Sequence, residues 1–435
     1  MSISLGLDRE SVVRTDPSVT ITIARGELAF HGLKADWERI AAMMPSKTPL
    51  FEWTYLVSWW SSFGKKCPVT GKTGELNVYI VSRNEKIIGI FPFFAVERTS
   101  PMMPKRLRPI GYSGRLEPYD LTEEPLVVME PGEEEVVLTE VSTAIKNGLK
   151  EGKWDCAIVN WFDHQRVHGI EKFWTRFTSK PGSAYVALPE TWEKFRKGLS
   201  KSMRDNLPYY PKLLTRHGHQ WHVEISETEL DWDRAVNELV RLHRLRAALS
   251  NDPNRVDHFT HIEHKTFLND LHHAFRKDTR AYIGLLRADG KVIAAQLYLD
   301  DARTLILSYS GHDPACAKYS PLLVLQSEVI KRAIERKIER LDLLIGDADW
   351  QERWKPTRDH PINKLTLAPK KPIATIRCIN YVLRRESTIW WHKSRLRRWI
   401  YRSRTLATLQ SCAQAMYLGH ARHLIGLIHR LRFHC

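Results

Sequence analysis

The stretch "YSGHDPACAKYSPLLVLQ", Tyr309 to Gln326, begins as an apolar strand and ends as the start of a helix. Between them lies a polar turn with Gly311, His312, Asp313 and Pro314, then a Lys318-Tyr319-Ser320-Pro321 approach to the helix. A strand-to-helix junction of this kind offers free backbone N–H groups to a ligand. The same residues also fit an ordinary connection. Two histidine groups have spacings that metal sites use: His258, His261 and His264, and His217, His219 and His222. No Cys or acid completes either ligand set, so no metal is expected. "TGKTGE", Thr70–Glu75, has Lys66 where a phosphate loop needs Gly, and it lacks the strand before and helix after. "GYSG" at Gly111–Gly114 lacks the spacing of a nucleophile elbow.

The elements that must position these residues are legible in outline. A helix is expected from Lys34 to Met44 and another over Phe51–Gly64, where apolar residues recur at helical spacing. "LNVYIVSRNEKIIGIFPFFAVER" reads as a hairpin turning at Asn84-Glu85. A strand near Leu107–Gly111, a helix near Glu133–Leu149 and a buried strand at "WDCAIVNWF" complete a first α/β unit. Residues 190–216 read as helices broken at Pro208 and Pro211. Two helices follow, at about 228–250 and 261–276. A three-stranded antiparallel meander then turns at Asp289-Gly290 and Asp300-Asp301. "SPLLVLQSEVIKRAIERK" is an amphipathic helix, "RLDLLIG" a buried strand and "NKLTLAP" the last strand. The order of elements repeats between the halves, which reads as a tandem repeat of one α/β fold.

With 435 residues, 43% of them hydrophobic and 27% charged, the composition is globular and allows two or three domains. The net charge is +16, but it is not spread evenly. From Lys371 to Cys435 there are 13 Lys and Arg and one acid, Glu386. The basic character therefore belongs to this tail, where Arg alternates with Trp390, Trp391, Leu396, Trp399, Ile400 and Tyr401. On a helix this gives a cationic and an aromatic face, which suits an anionic membrane surface, packing on the body, or nucleic acid. The six cysteines form no CxxC pair and read as reduced thiols. The N-terminal "MSISLGLDRESVVRTD" has no secretory pattern, and residues 1–20 read as a frayed lead-in. No run of about 18 apolar residues occurs. The expected location is the cytoplasm, with peripheral contact to the inner membrane face through the tail.

In its order of motifs the chain resembles the CelD-like acetyltransferases, bacterial proteins of the GNAT superfamily related in fold to the FemAB peptidyltransferases. The resemblance rests on strand, "YSGHDPACAKYSPLLVL", helix and "RLDLLIGDADWQERWKP" in that order. Upstream, "LSKSMRDNLPYYPKLLTRHG" is similar to the family's L-S-x-x-x-R-x-N-L helix, and "YLVSWWSSFG" to its N-terminal W-x-x-W box. It covers roughly residues 45–370. Two departures are visible: Trp350-Gln351 stands where the family has Tyr-Lys, and Leu322 where it has Gly.

The resemblance implies an α/β fold with mixed sheets: tandem GNAT-like acyl-CoA N-acyltransferase units at 20–189 and 190–370, then the basic helical tail 371–435. It implies an acyl-CoA, acetyl-CoA or another, as co-substrate, with its pantetheine arm along a strand edge and its pyrophosphate at the next helix start. Tyr309, Ser310, Gly311, Lys318, Ser320 and Pro321 are the expected donor-binding residues. Pro321 suits the first helical turn and Ser320 the N-cap. His312, Asp342 and Asp347 are candidate bases, Tyr319 or Tyr309 a candidate acid for the thiolate, and a backbone N–H near Ser310 a candidate oxyanion donor. Arg204, Asn206, Trp350, Trp354 and Lys355 are expected on the acceptor side. Alternatives from the residues themselves are a hydrogen-bonded acid at Asp342, a turn acid at Asp347 and surface polar groups at Arg204 and Asn206. The implied acceptor is a small molecule or saccharide. Two rival readings are a FemAB-like aminoacyltransferase using charged tRNA and a non-catalytic scaffold at a membrane-bound synthesis complex.

Overall fold

The computed structural model describes residues 18–44, 49–65, 74–98, 100–111, 127–163, 175–180, 183–226, 229–249, 257–260, 262–274, 280–301, 303–345, 349–358, 362–367, 372–374, 376–378 and 380–381. Residues 1–17, most of "TGKTGE" and "GYSG", His261, Asp347 and the tail beyond Tyr381 lie outside them. Val19 and Thr20, expected in a frayed lead-in, instead open the first strand, where they pair with Arg83 and Ser82.

The first half runs β1 (Val19–Ala24), α1 (Glu27–His31), α2 (Lys34–Met43), α3 (Trp53–Trp59), β2 (Glu75–Arg83), β3 (Lys86–Val96), β4 (Arg106–Pro109), β5 (Val128–Met129), α4 (Glu134–Glu151), β6 (Cys156–Asp163) and β7 (Thr175–Lys180). The chain continues with β8 (Ser183–Ala187), α5 (Trp192–Gly198), α6 (Lys201–Arg216), β9 (Trp221–Ile225), α7 (Glu229–Leu249) and α8 (Ile262–Ala274). It ends with β10 (Arg280–Ala288), β11 (Lys291–Asp300), β12 (Thr304–His312), α9 (Pro321–Glu335), β13 (Arg340–Ile345), α10 (Asp349–Glu352), β14 (Thr357–Arg358) and β15 (Ile362–Leu367).

Among the described residues the strands form two mixed sheets. The first has the order β1-β2-β3-β4-β6-β15-β7, with β5 also on β3; the second has the order β14-β8-β13-β12-β11-β10-β9. The hairpin at Asn84-Glu85 and the meander β10-β11-β12 turn where the sequence places them. The sheets exchange strands across the boundary expected at 189/190. β8, which precedes it, pairs antiparallel with β13 of the second sheet, and β15, the last strand, pairs with β6 and β7 of the first. Pairing follows which strand edges meet in space, and a local pattern does not encode that.

The alternation of apolar side chains assigns the faces. On β10, Ala281, Ile283 and Leu285 enter a large cluster that also holds Trp37, Tyr55 and Trp59 of α2 and α3. Their neighbours Tyr282, Leu286 and Ala288 enter a second cluster with α9. The central helices α2, α3, α7 and α8 are thus shared between the two sheets. Across this layer Tyr55 and Phe63 meet Phe267 of α8 at ring distances of 5.4 and 5.2 Å. A third cluster, with Val137, Leu138 and Val141 of α4, covers the other face of the first sheet.

One expectation fails locally. α6 runs unbroken through Pro208 and Pro211. An interior proline costs about 3 kcal/mol, and this helix offsets it by burying Met203, Leu207 and Leu214 in the second cluster. It also gains a Ser200 cap, whose hydroxyl accepts from the Met203 N–H at 3.3 Å.

α7 crosses β12 at Gly311. A Cβ built there would lie 2.3 Å from the His243 backbone nitrogen and 2.5 Å from the Leu242 carbonyl carbon. These are backbone atoms and have no rotamer to yield. Gly311→Ala is expected to destabilise the protein by about 1–3 kcal/mol, read as a lower urea midpoint with unchanged slope.

Candidate functional site

β12 and β13 are neighbouring parallel strands that part. They pair at Thr304–Arg340, Leu305–Leu341 and Ile306–Asp342, and among the described residues no strand continues that β12 edge. The cleft that opens has a built cause on each side.

On β12 the cause is a bulge. Gln296 faces Ser310 and Tyr298 faces Leu307, so Ser308 and Tyr309 oppose the single residue Leu297. The extra residue shifts the phase of the strand: Leu305 and Leu307 point into the cluster with α9, but Tyr309 points to the opposite face. Buried amides hold the bulge. Gln296 Nε2 donates to the Ser308 carbonyl at 3.3 Å. Gln296 Oε1 accepts from Gln326 Nε2 at 2.9 Å and from the Tyr298 hydroxyl at 3.2 Å. Burial raises the Tyr298 hydroxyl well above the ordinary tyrosine range, so it stays a donor.

On β13 the cause is a kink. Leu344 has φ +64°. Asp342, 5% exposed, accepts from the Leu344 N–H at 2.8 Å. Gln351, 2% exposed, donates through Nε2 to the carbonyls of Leu343 and Leu344 at 2.8 and 3.2 Å. Gln351 is therefore a structural clamp on the cleft wall.

The junction after β12 differs in detail from its expected form. Residues 314–319 make a 3-10 turn. Ser320 stands at the helix N-cap, but with φ +44°, and its hydroxyl makes no capping bond. Its carbonyl accepts from Leu323 and Val324 at 2.9 and 3.2 Å. Pro321 has no N–H, so the first turn of α9 keeps the Leu322 N–H for a ligand. Lys318 is exposed beside it, its ammonium 4.9 Å from the Tyr319 ring centre.

Tyr319 is buried at this junction. Its hydroxyl lies 3.1 Å from His217 Nδ1 and 3.0 Å from His219 Nε2. His219 Nδ1 in turn meets Asp289 Oδ2 at 2.6 Å. That contact, with the Gln220 amide, holds the Asp289 carboxyl below its ordinary range. A consistent proton assignment runs His217 N–H to the Tyr319 oxygen, Tyr319 O–H to His219, and His219 N–H to Asp289. The His217/His219 pair is thus bonded to a tyrosine, and among the described residues no cluster of metal-ligating side chains occurs.

Residues 201–352 match the family model of the acetyltransferase (GNAT) domain. This segment is a GNAT acyltransferase domain, and the protein is an acyltransferase. The crystal structure of FemX superposes with a TM-score of 0.55 at 9% identity, covering 79% of this chain and 98% of FemX. This likeness is one of fold. L-PGS from Bacillus licheniformis gives a TM-score of 0.44 at 12% identity, covering 78% of this chain and 98% of that one. A tandem GNAT protein from the clavulanic acid biosynthesis pathway gives 0.41 at 9%, covering 81% and 100%. No curated protein matches the sequence.

The expected site residues fall into three groups; Trp354 and Lys355 lie just beyond the matched segment. Tyr309, Ser310, Gly311 and half-buried His312 line the end of β12. Ser310 is engaged from α7: His243 Nδ1 donates to its carbonyl at 3.0 Å, and Arg246 Nη1 donates to its hydroxyl at 3.1 Å. Tyr309 sits among His243, His258, Phe259 and His264, with ring centres 5.2 to 6.2 Å away. Lys318, Tyr319, Ser320 and Pro321 form the junction. The third group lies at the α5–α6 corner. Arg204 Nη1 donates to the Leu199 carbonyl at 2.7 Å and Lys355 Nζ to the Gly198 carbonyl at 3.3 Å, cations on the carbonyl end of α5. Trp354, 1% exposed, packs on Phe195, and Trp350 packs at the edge of the same cluster. Asn206 reaches Ser202 at 3.5 Å. Sequence reasoning missed Gln296, Gln326, His243, Arg246 and Asp289. His217 and His219 had a visible spacing, but Tyr319 lies about a hundred residues away in sequence.

Gln351→Ala leaves two strand carbonyls unpaired and is expected to cost roughly 2–3 kcal/mol. Lys355→Ala removes an exposed contact and should cost under ~1 kcal/mol. Urea unfolding of both variants checks the contrast. Tyr319→Phe should cost about 1–2 kcal/mol in the same assay.

Proposed function

We propose that the protein transfers an acetyl or longer acyl group from acyl-CoA to an amine or hydroxyl acceptor. The observation that carries this reading is the parted β12–β13 pair within the matched acetyltransferase domain, with α9 starting after the one 3-10 turn that follows β12. The donor's pantetheine arm would take up the unpaired β12 edge as an added strand. Its phosphates would lie at the α9 start, beside Lys318 and the Leu322 N–H. The acceptor would enter on the α7–α8 side, near Tyr309. Attack of its nitrogen or oxygen on the thioester breaks the C–S bond. His312, Asp342 or Asp347 would take the acceptor's proton. The first two must act from quite different settings, since Asp342 already holds the Leu344 N–H. Tyr319 or Tyr309 would protonate the thiolate. A saccharide acceptor in exopolysaccharide or cell-envelope synthesis fits the CelD-like resemblance.

A second donor, aminoacyl-tRNA, is favoured by one observation: 13 of the 14 charged residues from Lys371 onward are basic. Polyanion binding by such a tail would weaken steeply with salt.

Acetyl-CoA titration calorimetry tests the first reading. The unaltered chain should bind, and a Lys318→Glu, Ser320→Asp double variant should bind at least about tenfold more weakly, the equivalent of ~1.4 kcal/mol. Aspartate tolerates the positive φ at position 320. No binding by the unaltered chain across several acyl-CoAs, with salt-sensitive binding of charged tRNA, would establish the second reading instead.

A further inference from the structure

Cys156 opens β6 and is 1% exposed, while Cys378 is half-buried in the segment that follows β15. Cys156 lies in a small apolar cluster with Ile158 and Tyr381, and Cys378 and Met103 pack against it. Cys378 Sγ also lies 3.6 Å from the carbonyl oxygen of Asp155, the residue before Cys156. A polar clasp surrounds this contact. Asp155 takes Arg377 at 3.2 Å and Arg98 at 2.8 Å. Arg377 Nε donates to the Pro101 carbonyl and Asn380 Nδ2 to the Met102 carbonyl, each at 2.9 Å. The Arg106 guanidinium stacks 4.6 Å from the Tyr381 ring centre. The clasp fixes the stem of the basic tail beside the start of β6 in the first sheet.

We propose that Cys156 and Cys378 are a thiol–disulfide pair, closed by a small disulfide such as oxidised glutathione, which ties the stem of the basic tail covalently to the first sheet. This stands apart from the acyl-transfer reading. Cys378 is the point of entry, because it is partly exposed and Cys156 is not. The neighbouring Cys156 thiol holds the Cys378 thiol below its usual range, and Arg106 adds to this, against opposition from burial and Asp155. The Cys378 thiol and burial raise Cys156. In the first step the Cys378 thiolate attacks one sulfur of glutathione disulfide; that S–S bond breaks and one glutathione leaves as the thiolate. In the second, Cys156 attacks Cys378 Sγ in the mixed disulfide. The second glutathione leaves and takes up the Cys156 proton. Two protein thiols are oxidised and one glutathione disulfide is reduced to two glutathiones.

The test uses the full chain incubated with glutathione disulfide, then alkylated and mapped by peptide mass spectrometry. The expected result is a Cys156–Cys378 linked peptide as the main product and loss of two hydrogens from the intact mass. Proteolytic cleavage between β15 and Cys378, for example after Lys370, should leave the fragment that carries Cys378 attached until dithiothreitol is added. Cys378→Ser should show no modification of Cys156. Three results would each overturn the proposal: glutathione on Cys378 with Cys156 still reduced, Cys378 joined to Cys67, Cys316, Cys412 or Cys435, or no modification at either position.

Discussion

β12 and β13 exchange ladder hydrogen bonds over three residue pairs and then separate. A parallel pair that stops so early leaves polar backbone on both inner edges, and such groups must be satisfied by side chains, solvent or a ligand. The protein keeps the strands apart with two buried carboxamides. Gln296 takes up a carbonyl of the β12 bulge, and Gln351 takes up two carbonyls of the β13 kink. Neither site could be filled as well by an apolar side chain, since each would leave a buried carbonyl unpaired at about 1–3 kcal/mol. The cleft is thus a consequence of two local backbone distortions whose carbonyls are hydrogen-bonded from the side.

The bulge has a further effect. By advancing the strand one residue it turns Tyr309 toward α7 and α8, where His243, His258 and His264 gather around it. Gly311 then lets α7 lie directly on the strand. The helices that cover this side are packed in turn on α3 from the first half, through Tyr55, Phe63 and Phe267. With β8 and β15 exchanged between the sheets, neither half owns a complete sheet. One apolar cluster accordingly holds residues of both halves.

The junction between β12 and α9 is built less like an isolated anion-binding helix start than its sequence suggests. Proline removes one N–H, and the left-handed Ser320 turns its carbonyl onto two others. Tyr319 anchors the turn to the end of α6 and to the β10–β11 turn through the histidines and Asp289. Rigidity here comes from that side-chain chain of contacts, which lowers the ordering cost of any ligand the turn receives.

Periodicity, turn residues and motif order in the sequence determined the mixed α/β class, the central helices and strands though not β1, β7, β8 or β9, the two hairpin turns and the segment that carries the acyltransferase domain. These are local signals: a two-residue alternation, a glycine at a turn, a proline at a helix start. Continuity of α6 through two prolines was decided by burial on α9, a contact invisible to local propensity. The exchange of β8 and β15, the Gln351 clamp and the Tyr319–His219–Asp289 line all join residues far apart in the chain. So does the meeting of Cys156 with Cys378, which no CxxC spacing announces. Each depends on which surfaces the core brings within hydrogen-bonding distance, and only the tertiary structure sets those distances.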